Sequence, residues 1–235
     1  MKLGIMQPYF FPYLGYFSLI KNTDHFVFFD TPQYVRRSWM NRNRILNANG
    51  EVCYISVPLK KAPQRTAIKD MEIDNSRPWA EEMIAKFVHY KRCAPFYKET
   101  VAFFEHVVGG HFNSLSELNI ASTIATCEYL GLAQQFETFS TMGLTIANVN
   151  AADEWALEIT KAMNYEVYVN PPGGKSFFDQ EKYKQNGIEL QFLQVNLLPY
   201  DQHIAHFESG LSILDVLMFN PVEKVKKMLD DFQVI

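Results

Sequence analysis

Arg36, Arg37, Arg42 and Arg44 fall within nine residues of a chain whose net charge is −4, interrupted by Trp39 and interleaved with Asn41 and Asn43. Planar guanidinium forks suit phosphate and carboxylate, and in an extended segment Arg42 and Arg44 project from one face. A solvated charged loop is the plain alternative for such a run. Ahead of the patch stand Asp30 and Gln33, and close to the N-terminus Gln7 opens a loop crowded with aromatics, Tyr9 to Tyr13. The expected catalytic groups are Gln7, Asp30 and Arg42. The expected substrate contacts are Tyr9, Tyr16, Gln33, Arg36, Trp39, Asn41 and Arg44, with Tyr9, Tyr16 and Trp39 also suited to a core. Such a site would take a small anionic molecule, a nucleotide or a nucleotide-activated substrate among them.

The surrounding pattern gives these residues positions. Leu3–Met6 reads as a strand stopped by Gln7-Pro8, Tyr16–Lys21 as a short helix after Gly15, and His25–Phe29 as a second strand closed by Asp30. Strand, glycine-bearing loop, helix and strand in about thirty residues match one βαβ unit. Ligands of open α/β sheets bind beyond the carboxyl ends of the strands, where Gln7, Asp30 and Gln33 stand. Arg44–Leu46 and Val52–Leu59 flank Asn49-Gly50 as a hairpin, and Ile68–Ile73 alternates like an edge strand. Residues 75–132 carry three helical periods, the third opened by Ser116 with Asn119. Strand character returns at Phe136–Leu144, Tyr165–Val169 and Ile188–Val195, with helices at Ala151–Met163 and Phe177–Gln185 and a helical C-terminal tail from Leu211 to Phe232.

The expected fold is therefore α/β: a mostly parallel sheet shared by residues 1–73 and 136–200, with a helical insertion at about 75–132 and a helical C-terminal tail, in one domain spanning 1–235. Pro171-Pro172-Gly173-Gly174-Lys175-Ser176 offers Lys175 and Ser176 as further phosphate contacts, but lacks P-loop spacing, and a plain Pro-Gly turn fits equally.

Composition narrows the classes. With 48% hydrophobic and 20% charged residues, the chain can bury a large core. The acidic balance argues against a nucleic-acid partner. Cys53, Cys93 and Cys127 have neither disulfide nor zinc spacing. No apolar run reaches the ~18 residues of a spanning helix, and no signal peptide is legible; a cytoplasmic location is expected. No Ser-His-Asp, Cys-His or metal-ligand cluster stands out.

Five stretches carry a family resemblance: QPYFFPYLGYFSLI, the following DHFVFFD, the WMNRNRI segment, GGKSFFD through GIELQF, and the closing LSILDVLMFN. Together they resemble the WbqC-like proteins over nearly the whole chain. The resemblance implies a part in bacterial surface polysaccharide (O-antigen, lipopolysaccharide) assembly and a glycine transferase activity. More distantly, Met6–Asp30 is similar to the first βαβ unit of adenylyl-transferring enzymes such as pantothenate synthetase. Tyr13-Leu14-Gly15-Tyr16 stands where those enzymes carry His-x-Gly-His, so the glycine is kept and both imidazoles are missing. Three readings follow: a glycine or aminoacyl transferase acting on an activated sugar, a nucleotidyltransferase-like enzyme activating a small carboxylate or sugar phosphate, and a non-catalytic binding or scaffold protein.

Overall fold

The computed structural model describes residues 1–146 and 149–235. Five parallel strands form its centre: β1 (Lys2–Met6), β2 (His25–Phe28), β5 (Gln135–Thr138), β6 (Val167–Asn170) and β7 (Glu189–Val195). A sixth, β8 (Phe232–Val234), closes the β7 edge antiparallel, giving the order β5-β2-β1-β6-β7-β8. Parallel strands covered on both faces read as unbroken apolar runs, and β2 is buried at all four positions. Alternate residues serve opposite faces. Phe26 and Phe28 enter the larger core, while Leu3, Ile5, Val27 and Tyr168 enter the smaller one. Gly4 is required at the crossing, because a Cβ there would lie 2.9 Å from the Phe26 ring.

The larger core is covered by α1 (Leu14–Lys21), by α2 (Trp79–Phe87), α3 (Tyr97–Val108) and α4 (Leu115–Tyr129), and by the C-terminal α7 (Ile213–Phe219) and α8 (Val222–Leu229). The smaller core packs beneath α5 (Glu154–Ala162) and α6 (Gln180–Gln185). The cap of α4 is Ser114, whose hydroxyl accepts from the Glu117 amide, rather than the expected Ser116.

Three expectations need correction. The hairpin β3 (Arg42–Leu46) and β4 (Val52–Ser56) does not join the main sheet but makes its own two-stranded sheet. Both flanks of β2 are already taken by β1 and β5. Ile68–Ile73 is no strand; Ile68–Asp70 is a 3-10 turn that buries Ile68, and Met71 and Ile73 are buried just beyond it. The tail is helical only to Leu229, after which Phe232–Val234 pairs with β7.

The loop after β1 is held by side chains because its carbonyls have no ladder to join. Tyr16 donates its hydroxyl to the Gln7 carbonyl at 2.9 Å. Asn119 of α4 donates to the carbonyls of Pro8 and Met40 at 3.0 and 2.7 Å. Asn43 of β3 donates to those of Phe10 and Phe11 at 3.1 and 2.8 Å, and the Ser212 hydroxyl reaches Phe11 as well, at 2.8 Å.

Candidate ligand-binding site

The chain leaves β1 toward β2 on one side, while β6 lies on the other side of β1. A parallel sheet opens a crevice at such a reversal, outside the carboxyl ends of the strands. A cavity of about 490 Å³ lies there. It is lined by Ile5 and Met6 of β1, Gln7 just beyond it, and Tyr168 and Asn170 from β6; Phe29, Thr31 and Pro32 follow β2. Tyr9, Trp155 of α5, Phe177 and Phe178 enclose it. Six aromatic rings and two amides thus converge on a mostly apolar space.

The two amides are prepared differently. Asn170 accepts from the Tyr168 hydroxyl at 2.8 Å and donates to the Pro171 carbonyl at 2.8 Å. Gln7 receives a long 3.4 Å hydrogen bond from the Tyr9 hydroxyl, and its amide NH2 has no protein acceptor among the described residues. Burial pushes the Tyr9 phenol up, and the neighbouring Tyr13 adds to this. Burial drives those of Tyr16 and Tyr168 well above the ordinary tyrosine value. All three are neutral phenols at physiological pH.

A second cavity, about 800 Å³, lies across the short Thr31–Gln33 loop. Gln33, Arg36 and Asn41 line it with Lys60 and Lys61. Gln33 donates to the Gln64 carbonyl at 2.7 Å. Asn41 accepts from Tyr34 at 2.9 Å and donates to the Val57 carbonyl at 3.1 Å. Among the described residues Arg36 and Lys61 face no carboxylate within salt-bridge distance, whereas Lys60 pairs with Glu72 at 2.7 Å.

The residues expected in one pocket are thus divided. Gln7 and Tyr9 line the aromatic cavity; Gln33, Arg36 and Asn41 line the basic one. Tyr16 is fully buried. Asp30 is buried and lines neither cavity: its carboxylate accepts from the Ser140 amide and hydroxyl at 3.1 and 2.6 Å, tying the end of β2 to the end of β5. Arg42 lies over the Tyr54 ring at 4.2 Å and donates to the Arg37 carbonyl at 2.6 Å. Arg44 pairs with Glu208 at 3.2 Å, donates to the carbonyls of Ser209 and Gly210, and lies 5.7 Å from the exposed Trp39 ring. Lys175 and Ser176 sit exposed in the turn after β6, beside Phe177 and Phe178. Gly15 has a packing reason: a Cβ there would lie 2.5 Å from the Tyr13 ring, so the start of α1 is filled by a phenol.

Sequence reading missed Asn170, Tyr168, Trp155, Phe177 and Phe178. The one available signal was the Asn-Pro-Pro turn ending a β-branched run. A third cleft, about 850 Å³, collects His89, His203 and His206 with Arg92 beside the β3–β4 turn. No group of three or more ligand-type side chains among the described residues could hold a metal ion.

A model of the WbqC-like protein family matches residues 7–227. The chain belongs to the WbqC-like protein family. A curated relative, the uncharacterized protein Rv1507c of Mycobacterium tuberculosis, is 28% identical over 222 residues, 93% of each chain. No solved structure matches. The family match begins at Gln7, the first residue beyond β1, and takes in both cavities almost whole. No helix among the described residues is long and apolar enough to cross a membrane.

Proposed function

We propose that this WbqC-like protein is a transferase acting on a phosphate-activated sugar in bacterial surface polysaccharide assembly. One observation carries the reading: an aromatic, amide-bearing cavity at the sheet's switch point adjoins a basic cavity across the Thr31–Gln33 loop. A sugar or nucleobase ring stacks on Trp155, Tyr9 and Phe178, and Gln7 and Asn170 read its polar edge. The anionic group lies toward Arg36 and Lys61. The unit passed on is aminoacyl, glycine first, as the family resemblance implies: a hydroxyl or amine of the sugar bonds to the carbonyl carbon of an activated glycyl donor, and the donor's activating group leaves with its bond electrons while the acceptor's proton passes to solvent. Catalysis in this reading is positioning of two substrates for direct transfer. Arginine and lysine neutralise the activated group, and no covalent intermediate is needed. The nucleotidyltransferase reading has less support, because Tyr13 occupies the space over Gly15 where a phosphate would approach α1.

Thermal-shift titration with nucleotide-activated sugars, their free sugars, and glycyl-adenylate analogues tests the proposal. A ligand that binds only the native state raises its melting temperature. Activated sugars should stabilise the protein more than the free sugars do. If none of these ligands shifts the melting temperature, the transferase reading falls and a scaffold role takes its place.

A further inference from the structure

The chain's charge is sharply segregated. Thr31–Lys69 holds eight basic residues and one acidic residue, Glu51, a net of +7. The remainder holds 14 basic residues against 25 acidic, a net of −11. Four of the large hydrophobic residues left exposed, Val35 (55%), Trp39 (41%), Val52 (39%) and Tyr54 (38%), lie in that same basic segment.

The structure brings the centre of this segment onto one face. Arg42 and Arg44 share the outer side of β3, against Tyr54 and Trp39 respectively. Arg42 reaches the Arg37 carbonyl, and Lys86 of α2 donates to the Tyr54 carbonyl at 2.7 Å. Arg44, Lys60 and Lys69 are paired with Glu208, Glu72 and Asp70. Arg36, Arg37, Arg42, Lys61 and Arg65 have no carboxylate partner among the described residues. Arg37, Arg42, Trp39 and Tyr54 therefore share one surface, with Val52 on the same side of β4 as Tyr54; Val35, Arg36 and Lys61 line the basic cleft with Gln64, the residue before Arg65.

We infer that this face docks on an anionic lipid bilayer. Phosphate-rich partners of every kind would attract the cations. The exposed valines, Trp39 and Tyr54 decide between them. Aliphatic side chains gain nothing from a nucleic-acid backbone, whereas a bilayer interface accepts tryptophan and tyrosine at headgroup depth and apolar side chains just beneath. The remaining chain is net negative, so electrostatics favour this basic segment as the side that meets such a membrane. The inference does not depend on the substrate reading, although it would set the mouth of the basic cavity toward lipid.

The test is co-sedimentation of the full chain with vesicles of phosphatidylcholine containing phosphatidylglycerol, and with phosphatidylcholine alone. Binding should need the anionic lipid and be lost as salt shortens the screening length from about 10 Å at 0.1 M to 3 Å at 1 M. Each basic side chain at the surface is worth about five-fold in partitioning. Arg37→Asn removes one charge while suiting the left-handed backbone at this position, φ 60°, and Arg65→Gln removes another; each should lower partitioning about five-fold. Trp39→Ala and Val52→Thr leave the charge untouched and should also lower it. Unchanged circular-dichroism melting confirms that all four variants fold. Equal binding to both vesicle types, or no binding at low salt, overturns the inference. So does binding that falls with Arg37→Asn but is unmoved by Trp39→Ala and Val52→Thr and is competed away by single-stranded DNA, which would make the face a polyanion site.

Discussion

The two cavities flanking the Thr31–Gln33 loop are built from different materials. The aromatic one is set by strand ends: β1 and β6 are paired residue by residue, Lys2 with Val167 and Gly4 with Val169, so Gln7 and Asn170 inherit the precision of a parallel ladder. The basic one is set by loops, with Arg36 and Lys61 exposed and their surroundings held by scattered bonds between loops, such as the Tyr34 amide to the Thr66 carbonyl at 2.9 Å and Gln33 to the Gln64 carbonyl at 2.7 Å, rather than by a continuous ladder. Shape in this molecule comes from the sheet and charge comes from the loops. A ring should therefore be held in a defined pose, and its anionic group more loosely and with more dependence on salt.

The largest expected effect removes what the two regions share. Asn119 holds both Pro8 and Met40, so Asn119→Leu leaves two buried carbonyls without a donor. The unfolding free energy should fall by roughly 2–4 kcal/mol, measured by urea denaturation, and ligand binding in both cavities should weaken together. A loss confined to one cavity would mean that the two do not share this anchor.

Next comes a change confined to the aromatic side. A Cβ on Gly174 would collide with the Asn170 amide nitrogen and lie 2.8 Å from the Phe178 ring, whereas one on Gly173 meets nothing within 4 Å. Gly174→Ala should cost about 1–3 kcal/mol through overpacking and blunt ligand binding. Gly173→Ala should stay within about 0.5 kcal/mol of the parent protein. Equal behaviour of the two in melting and titration would contradict the assigned cavity wall.

A smaller effect concerns His89. Burial holds its imidazole below the ordinary value, partly offset by its hydrogen bond to the Lys86 carbonyl. The folded state therefore binds a proton less readily than the unfolded chain. Stability should decline as pH falls through the ordinary histidine value of about 6.5 and flatten below the folded one. His89→Gln should remove that part of the slope in melting curves between pH 7 and pH 5. Since His89 lines neither proposed cavity, ligand binding in them should be indifferent to the change.

Much of the frame was legible because it is local. The β1–α1–β2 unit announces itself through two short apolar runs and the glycine between them, and the helical periods of α2–α4 are plain. β8 was not, because three residues after a helix carry too little alternation to register. Nor does periodicity say which strand a hairpin joins, so β3–β4 looked like part of the main sheet. The site was half legible for a related reason. Gln7 stands where a strand ends, but Asn170, Trp155 and Phe178 reach it from more than a hundred residues away. Asp30 had the right chemistry for catalysis and Arg44 for holding a substrate, yet their partners, Ser140 and Glu208, lie 110 and 164 residues distant. Residue type names a capacity, and only the fold decides whether an internal partner already uses it.

The most direct test of the division between ring and charge is a calorimetric titration of a nucleotide-activated sugar into the parent protein, Trp155→Ala and Arg36→Gln at low and high salt. Trp155→Ala should weaken binding at both salt concentrations, because stacking is indifferent to screening. Arg36→Gln should weaken it at low salt and converge on the parent at high salt. Two variants with the same salt dependence, or a ligand bound equally well by all three proteins, would contradict the account.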